Sequence, residues 1–107
     1  MKIDFNAFYV TNEKTVYLCW KKVDGVTGYT IYRDGNELAD SDTNDFVRPY
    51  EFDNDHHTEL FKPATRNWLY FKDKSIQDLQ KYKYQVVAKG STTSDTPESF
   101  IMEVYTD

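Results

Sequence analysis

The stretch Thr15-Val16-Tyr17-Leu18-Cys19-Trp20 alternates in the period of an extended strand. Successive side chains of a strand point to opposite faces, so Val16, Leu18 and Trp20 share one face and Tyr17 and Cys19 the other. A polar run with two glycines, residues 21–28, follows as a turn region. Tyr29-Thr30-Ile31-Tyr32-Arg33 then alternates again, with Tyr29 and Ile31 inward, and ends in Asp34-Gly35. That dipeptide is a strong hairpin signal, because glycine takes the positive φ of primed turns without steric cost. Further along, Tyr82, Tyr84, Val86 and Ala88 share one face of the strand 81–88, while Lys81, Lys83 and Gln85 face water. Residues 90–97 form a turn-rich loop, and Ser99 to Tyr105 reads as a final strand. Asn6 to Val10 and Trp68 to Phe71 are expected as two more.

The size and make-up of the chain agree with this. A chain of 107 residues is one domain, well below the length at which single cores divide. Nine Tyr, seven Phe and two Trp supply enough ring area to fill a small sandwich core without a metal or a disulfide. The single cysteine, Cys19, rules out an intramolecular disulfide and a cysteine-based zinc site. With 18 acidic against 13 basic residues the net charge is −5, which argues against nucleic acid and against an anionic membrane surface as partners. The chain has no run of 18 apolar residues, so no transmembrane helix is expected. The opening residues, Met1-Lys2-Ile3-Asp4, contain no apolar stretch of the signal-peptide kind. That leaves either a cytoplasmic domain or one taken from a longer precursor.

The stretch from Ala39 to Asn67 does not fit the strand rhythm. It opens acidic and polar with Asp40, Asp42 and Asp45, then mixes aromatics with acids and histidines. Its apolar residues Phe46, Val47, Tyr50, Phe52, Leu60 and Phe61 indicate packing, with an extra strand near 46–52 and a helical turn near 57–61.

In order along the chain, Val16–Trp20, Gly28-Tyr29-Thr30-Ile31-Tyr32 and Leu79-x-x-Tyr82-x-Tyr84-x-Val86 resemble strands B, C and F of the fibronectin type III family. The similarity covers about residues 10–38 and 68–106. It implies an all-β, immunoglobulin-like antiparallel β-sandwich of about seven strands, with A, B and E facing C, C′, F and G. It also implies a tyrosine corner at Tyr82, whose hydroxyl bonds backbone just upstream while its ring packs inside. The region 40–66 is longer than the family's connection between C and E and reads as an insertion. The tripeptide Arg-Gly-Asp is absent, since Arg33-Asp34-Gly35 has another order, so the adhesion role tied to that motif has no support. In bacteria such modules resemble spacers and accessory domains of larger extracellular or cell-surface proteins. The partners so implied are neighbouring domains of a parent protein, and a glycan or protein ligand. No cofactor is implied.

Three residue sets invite a chemical reading. Asp53, Asp55, His56 and His57 lie within a short polar run ending at Glu59 and have the donor atoms to bind a divalent cation. Their spacing matches neither an EF-hand loop nor a His-Glu-x-x-His helix, so a solvated loop is the stronger reading. The alternative function is a stand-alone cation-binding or cation-dependent hydrolytic domain built on this loop. Tyr50, Phe52 and Trp68, with Phe61, are candidates for an aromatic ligand platform, set against the simpler reading that they seal the insertion to the sheet. Tyr17 and Tyr32, on outward faces, are weaker candidates for a partner surface. Cys19, on an outward face with nothing nearby to lower its pKa, reads as an inert thiol. Lys72, Lys74, Lys81, Lys83 and Arg66 read as solvated or edge-protecting charges. No catalytic set emerges, and a non-catalytic binding or spacer module is expected. The expected core is Val16, Leu18, Trp20, Tyr29, Ile31, Leu79, Tyr82, Tyr84, Val86 and Ala88, with Met102 or Ile101.

Overall fold

The alternating stretches form the strands they predict. The computed structural model describes residues 2–42, 68–91 and 96–106. In chain order the strands are β1 (Lys2–Ile3), β2 (Phe5–Val10), β3 (Thr15–Lys21), β4 (Gly28–Arg33), β5 (Asn36–Asp42), β6 (Trp68–Asp73), β7 (Lys81–Lys89), β8 (Glu98–Ser99) and β9 (Met102–Tyr105). A 3-10 turn at Thr11–Glu13 joins β2 to β3.

These strands make two sheets. One has the order β1-β8-β7-β4-β5, with β9 also pairing β7, and the other the order β2-β3-β6. The fold is therefore an all-β sandwich. The turn between β4 and β5 is the Asp34-Gly35 pair, with φ of 54° and 81°, the two positive values that a type I′ hairpin needs.

The two ends of the chain depart from the expected strands. The first strand changes sheets at Asp4: β1 pairs in parallel with β8, whereas β2 pairs antiparallel with β3. The last strand is broken at Phe100 and Ile101 into β8 and β9. A chain end that serves both sheets closes the sandwich along one side and shortens the exposed edges.

Between the sheets lies the main core, with Val16, Leu18 and Trp20 from β3 facing Tyr29 and Ile31 from β4 and Tyr84, Val86 and Ala88 from β7. The Trp20 ring meets Tyr29 edge-on at 5.5 Å and 63°, a favoured aromatic geometry. Tyr29 keeps its hydroxyl satisfied by accepting from the Val23 backbone N–H at 2.7 Å. Tyr82 is half-buried at the margin of this core, and its hydroxyl accepts from the Gln77 backbone N–H at 2.9 Å.

Leu79 is corrected as a core residue, and the alternative between Met102 and Ile101 is decided. Leu79 is 80% exposed and Ile101 60% exposed. Leu79 sits in the left-handed region (φ 59°), so the turn before β7 carries its side chain out of the strand alternation. Ile101 lies in the break between β8 and β9, and Met102 takes the inward position instead, half-buried against the core.

A second correction concerns Tyr17 and Cys19. They do occupy the other face of β3, but they are 0% and 2% exposed. With Tyr70 they form a separate cluster, against which Phe8, Val10 and Trp68 pack. From Thr15 to Trp20, β3 is buried on both faces, so Tyr17 offers no partner surface.

Candidate functional site

One buried charged group stands at the end of β6. Asp73 is 2% exposed, and burial alone would push its carboxyl up. Hydrogen bonds from Tyr84, Ser75 and Arg33 outweigh that and hold it below the ordinary carboxylate range. Oδ1 accepts from the Ser75 backbone N–H at 3.0 Å and the Ser75 hydroxyl at 2.7 Å. Oδ2 accepts from Arg33 Nη1 at 2.9 Å and the Tyr84 hydroxyl at 2.7 Å. A carboxylate has about four lone-pair sites, so this one is fully engaged. Arg33 also donates to the Ser75 carbonyl at 3.2 Å, and its guanidinium lies 5.1 Å from the centre of the Tyr82 ring. With every acceptor site taken, the network is a structural tie between sheets: Asp73 belongs to the three-stranded sheet, Arg33 and Tyr84 to the other.

The thiol of Cys19 is pushed up to about 12 by burial, against a smaller lowering by the Asn6 backbone. A group held that far above neutrality is not a nucleophile at physiological pH.

The outer face of the larger sheet carries an open groove of about 500 Å³, lined by Tyr32, Asp34, Gly35, Lys83, Gln85 and Ile101. Lys83 and Gln85 are neighbours on one face of β7, and Tyr32 lies beside Gln85 on β4. The Asp34-Gly35 turn closes one end. Asp34 is anchored to β7 by two bonds, its backbone N–H to the Lys83 carbonyl at 2.7 Å and its Oδ1 to the Lys83 N–H at 2.9 Å. The volume falls within the range of small-ligand sites, and the mixture of a few polar groups with apolar walls is typical of them.

Most of the residues singled out in the sequence are not part of these arrangements. Tyr50, Phe52, Asp53, Asp55, His56 and His57, with Phe61 and Arg66, lie outside the described residues. Trp68 opens β6 half-buried and packs against the Tyr17, Cys19 and Tyr70 cluster. Among the described residues, no group of three or more His, Cys, Asp or Glu is placed to hold a metal ion. Lys81 and Lys83 are exposed, as their strand positions predict, and so is Lys74 just past the end of β6. Lys72 lies with its ammonium 5.5 Å from the centre of the Tyr17 ring.

Sequence reasoning missed the groove and the Asp73 tie. Tyr32 and Asp34 were visible as an outward tyrosine and a turn residue. Nothing in their local spacing joins them to Lys83 and Gln85, which the β4–β7 register brings alongside, or to Ile101, which the pairing of β7 with β8 and β9 places there.

No protein-family model matches the chain, and no curated protein matches it. Among solved structures it is similar to a Yersinia enterocolitica family 28 exopolygalacturonase, with a TM-score of 0.54 and 18% identity. The likeness covers 97% of this chain but only 20% of that one. At such identity the relation is one of fold, and the chain spans about a fifth of the length of the enzyme it resembles.

Proposed function

We propose that the chain is a non-catalytic binding or spacer module of the fibronectin type III kind, working within a larger bacterial multidomain protein through contacts with protein or carbohydrate. The observation that carries this reading is the lopsided match to the exopolygalacturonase: nearly all of this chain aligns with 20% of that one. A sandwich that is whole in itself, yet a small part of its neighbour, fits the habit of an accessory domain. The grouping of β2, β3 and β6 against β4, β5, β7 and β8–β9, and the Tyr82 hydroxyl bonded just upstream, support the fibronectin-like assignment. The non-catalytic part is supported by the chemistry of the buried groups, since Asp73 is fully engaged and Cys19 is held protonated.

Electrophoresis in gels containing dissolved polysaccharide, run beside a reducing-end assay on the same polymers, tests the proposal. The expected result is release of reducing ends no faster than in buffer, with or without retardation in the gel. Sustained release that co-purifies with the folded chain would overturn it.

A further inference from the structure

We propose that the groove on the outer face of the larger sheet is a sugar-binding site that takes a neutral pyranose unit, an inference that rests on the carbohydrate side of the reading above. Two β-bulges flank it. Between the pairs Val87–Glu98 and Tyr84–Met102, β7 has two residues (85 and 86) and the opposite chain three (99, 100 and 101). Between the pairs Ile31–Ala39 and Tyr32–Glu37, the extra residue is Leu38. Bulges re-aim side chains and are over-represented beside functional sites.

The first bulge is held by its own hydrogen bonds. Ser99 is fully buried, and its hydroxyl accepts from the Val86 backbone N–H at 2.9 Å where a ladder carbonyl would ordinarily serve. The Gln85 side-chain amide donates to the Ser99 carbonyl at 3.0 Å. The kink thus fixed presents Phe100 and Ile101 to solvent, 69% and 60% exposed. Ile101 becomes one wall of the groove, and Tyr32, next to the second bulge, becomes another.

These walls suit a sugar ring. A pyranose offers an apolar C–H face, which packs on a ring or an aliphatic side chain, and a rim of hydroxyls that need donors and acceptors. Tyr32 and Ile101 supply the apolar contact. Asp34 Oδ2, the Lys83 ammonium, the Gln85 carbonyl oxygen and the Tyr32 hydroxyl supply the polar ones. One N–H of the Gln85 amide is committed to Ser99, which fixes the side chain and leaves its oxygen and its second N–H for a ligand.

Charge and topology narrow the class. The charged groups that line the groove, Asp34 and Lys83, cancel, in a chain of net −5. A groove without net positive charge suits a neutral sugar better than a carboxylate-bearing one. A peptide strand is also disfavoured. The floor is β7, whose two edges pair with β4 and with β8–β9, so no ladder groups remain there for a strand to join.

The test is an amide-shift titration of the ¹⁵N-labelled chain with cellotetraose, with tetragalacturonate and a neutral decapeptide as comparisons. Cellotetraose should move the amides of Tyr32, Lys83, Gln85 and Ile101 with a Kd of millimolar order. Tyr32→Ala should weaken binding by about tenfold, the loss of one aromatic wall, while Lys14→Gln outside the groove leaves it unchanged. Should Tyr32→Ala not fold, Ile101→Ser at an exposed position carries the same expectation. Unmoved groove amides, equal binding by the variants, or stronger shifts with tetragalacturonate or the peptide would each overturn the proposal. Loss of the groove assignment leaves the module reading intact, whereas hydrolysis of cellotetraose would remove the module reading and leave the site.

Discussion

Gly90 and Gly35 have similar backbone angles and very different surroundings, with φ of 70° and 81°. A Cβ at Gly35 would meet nothing within 4 Å, whereas one at Gly90 would lie 2.1 Å from Thr27 Oγ1 and 3.0 Å from Thr27 Cβ. Both glycine-to-alanine changes incur the left-handed penalty, on the order of 1 kcal/mol. Only Gly90→Ala must also push apart the β4 entry and the β7 exit, where Thr27 N–H bonds the Lys89 carbonyl at 3.0 Å. Urea unfolding should therefore show Gly35→Ala about 1 kcal/mol below wild type and Gly90→Ala roughly 2–4 kcal/mol below it. Equal losses would remove the clash argument. Cys19 gives a second residue-scale expectation. Buried and with its thiol raised to about 12, it should react with a thiol reagent at pH 8 only as fast as the domain opens, and at once in denaturant. Fast labelling of the native chain would contradict its burial.

At the scale of elements, the turn before β7 is the instructive one. The motif Leu79-x-x-Tyr82 placed both residues in the core, and only the tyrosine lies near it. Two mutual bonds set the turn: Leu79 N–H to the Thr106 carbonyl at 2.8 Å and Thr106 N–H to the Gln80 carbonyl at 2.9 Å. The Thr106 hydroxyl adds a bond to the Gln77 carbonyl at 2.6 Å. This arrangement holds Leu79 left-handed and leaves its side chain in water. Asparagine tolerates that conformation better than leucine. Leu79→Asn should therefore match wild type or exceed it by up to about 1 kcal/mol. Thermal unfolding distinguishes this from a core leucine, whose loss would lower stability by roughly 2–5 kcal/mol. The strands themselves were legible because alternation and burial of one face enforce each other. The break at Phe100–Ile101 was not, because it depends on where Ser99 meets Val86.

For the molecule as a whole, the Asp73 tie joins the two sheets, and its titration couples the fold to acid. The folded carboxyl lies below its ordinary value, so its stabilisation is complete above the unfolded pKa of about 3.9 and disappears as pH falls through the folded value. Wild type should lose stability on acidification below about pH 4, and Asp73→Asn should be flatter in that window. Because the mutation strands Arg33 and the Tyr84 hydroxyl, it should also lower stability at pH 7 by roughly 3–5 kcal/mol. Parallel acid profiles for the two proteins would show that other carboxylates dominate. None of this was readable locally, since Asp73 is 40 positions from Arg33 and 11 from Tyr84.

By itself the sequence determined the class of fold, the strands β3, β4 and β7, the hairpin at Asp34-Gly35 and most of the inter-sheet core. Each of these follows from a period of two and from the turn preference of one dipeptide, which are properties of neighbours along the chain. Only the tertiary structure decided that Tyr17 and Cys19 are covered, that Asp73 ties the sheets and that Tyr32, Lys83, Gln85 and Ile101 share a groove. These depend on which strands lie side by side and in what register, and register is set by contacts between residues far apart in the chain.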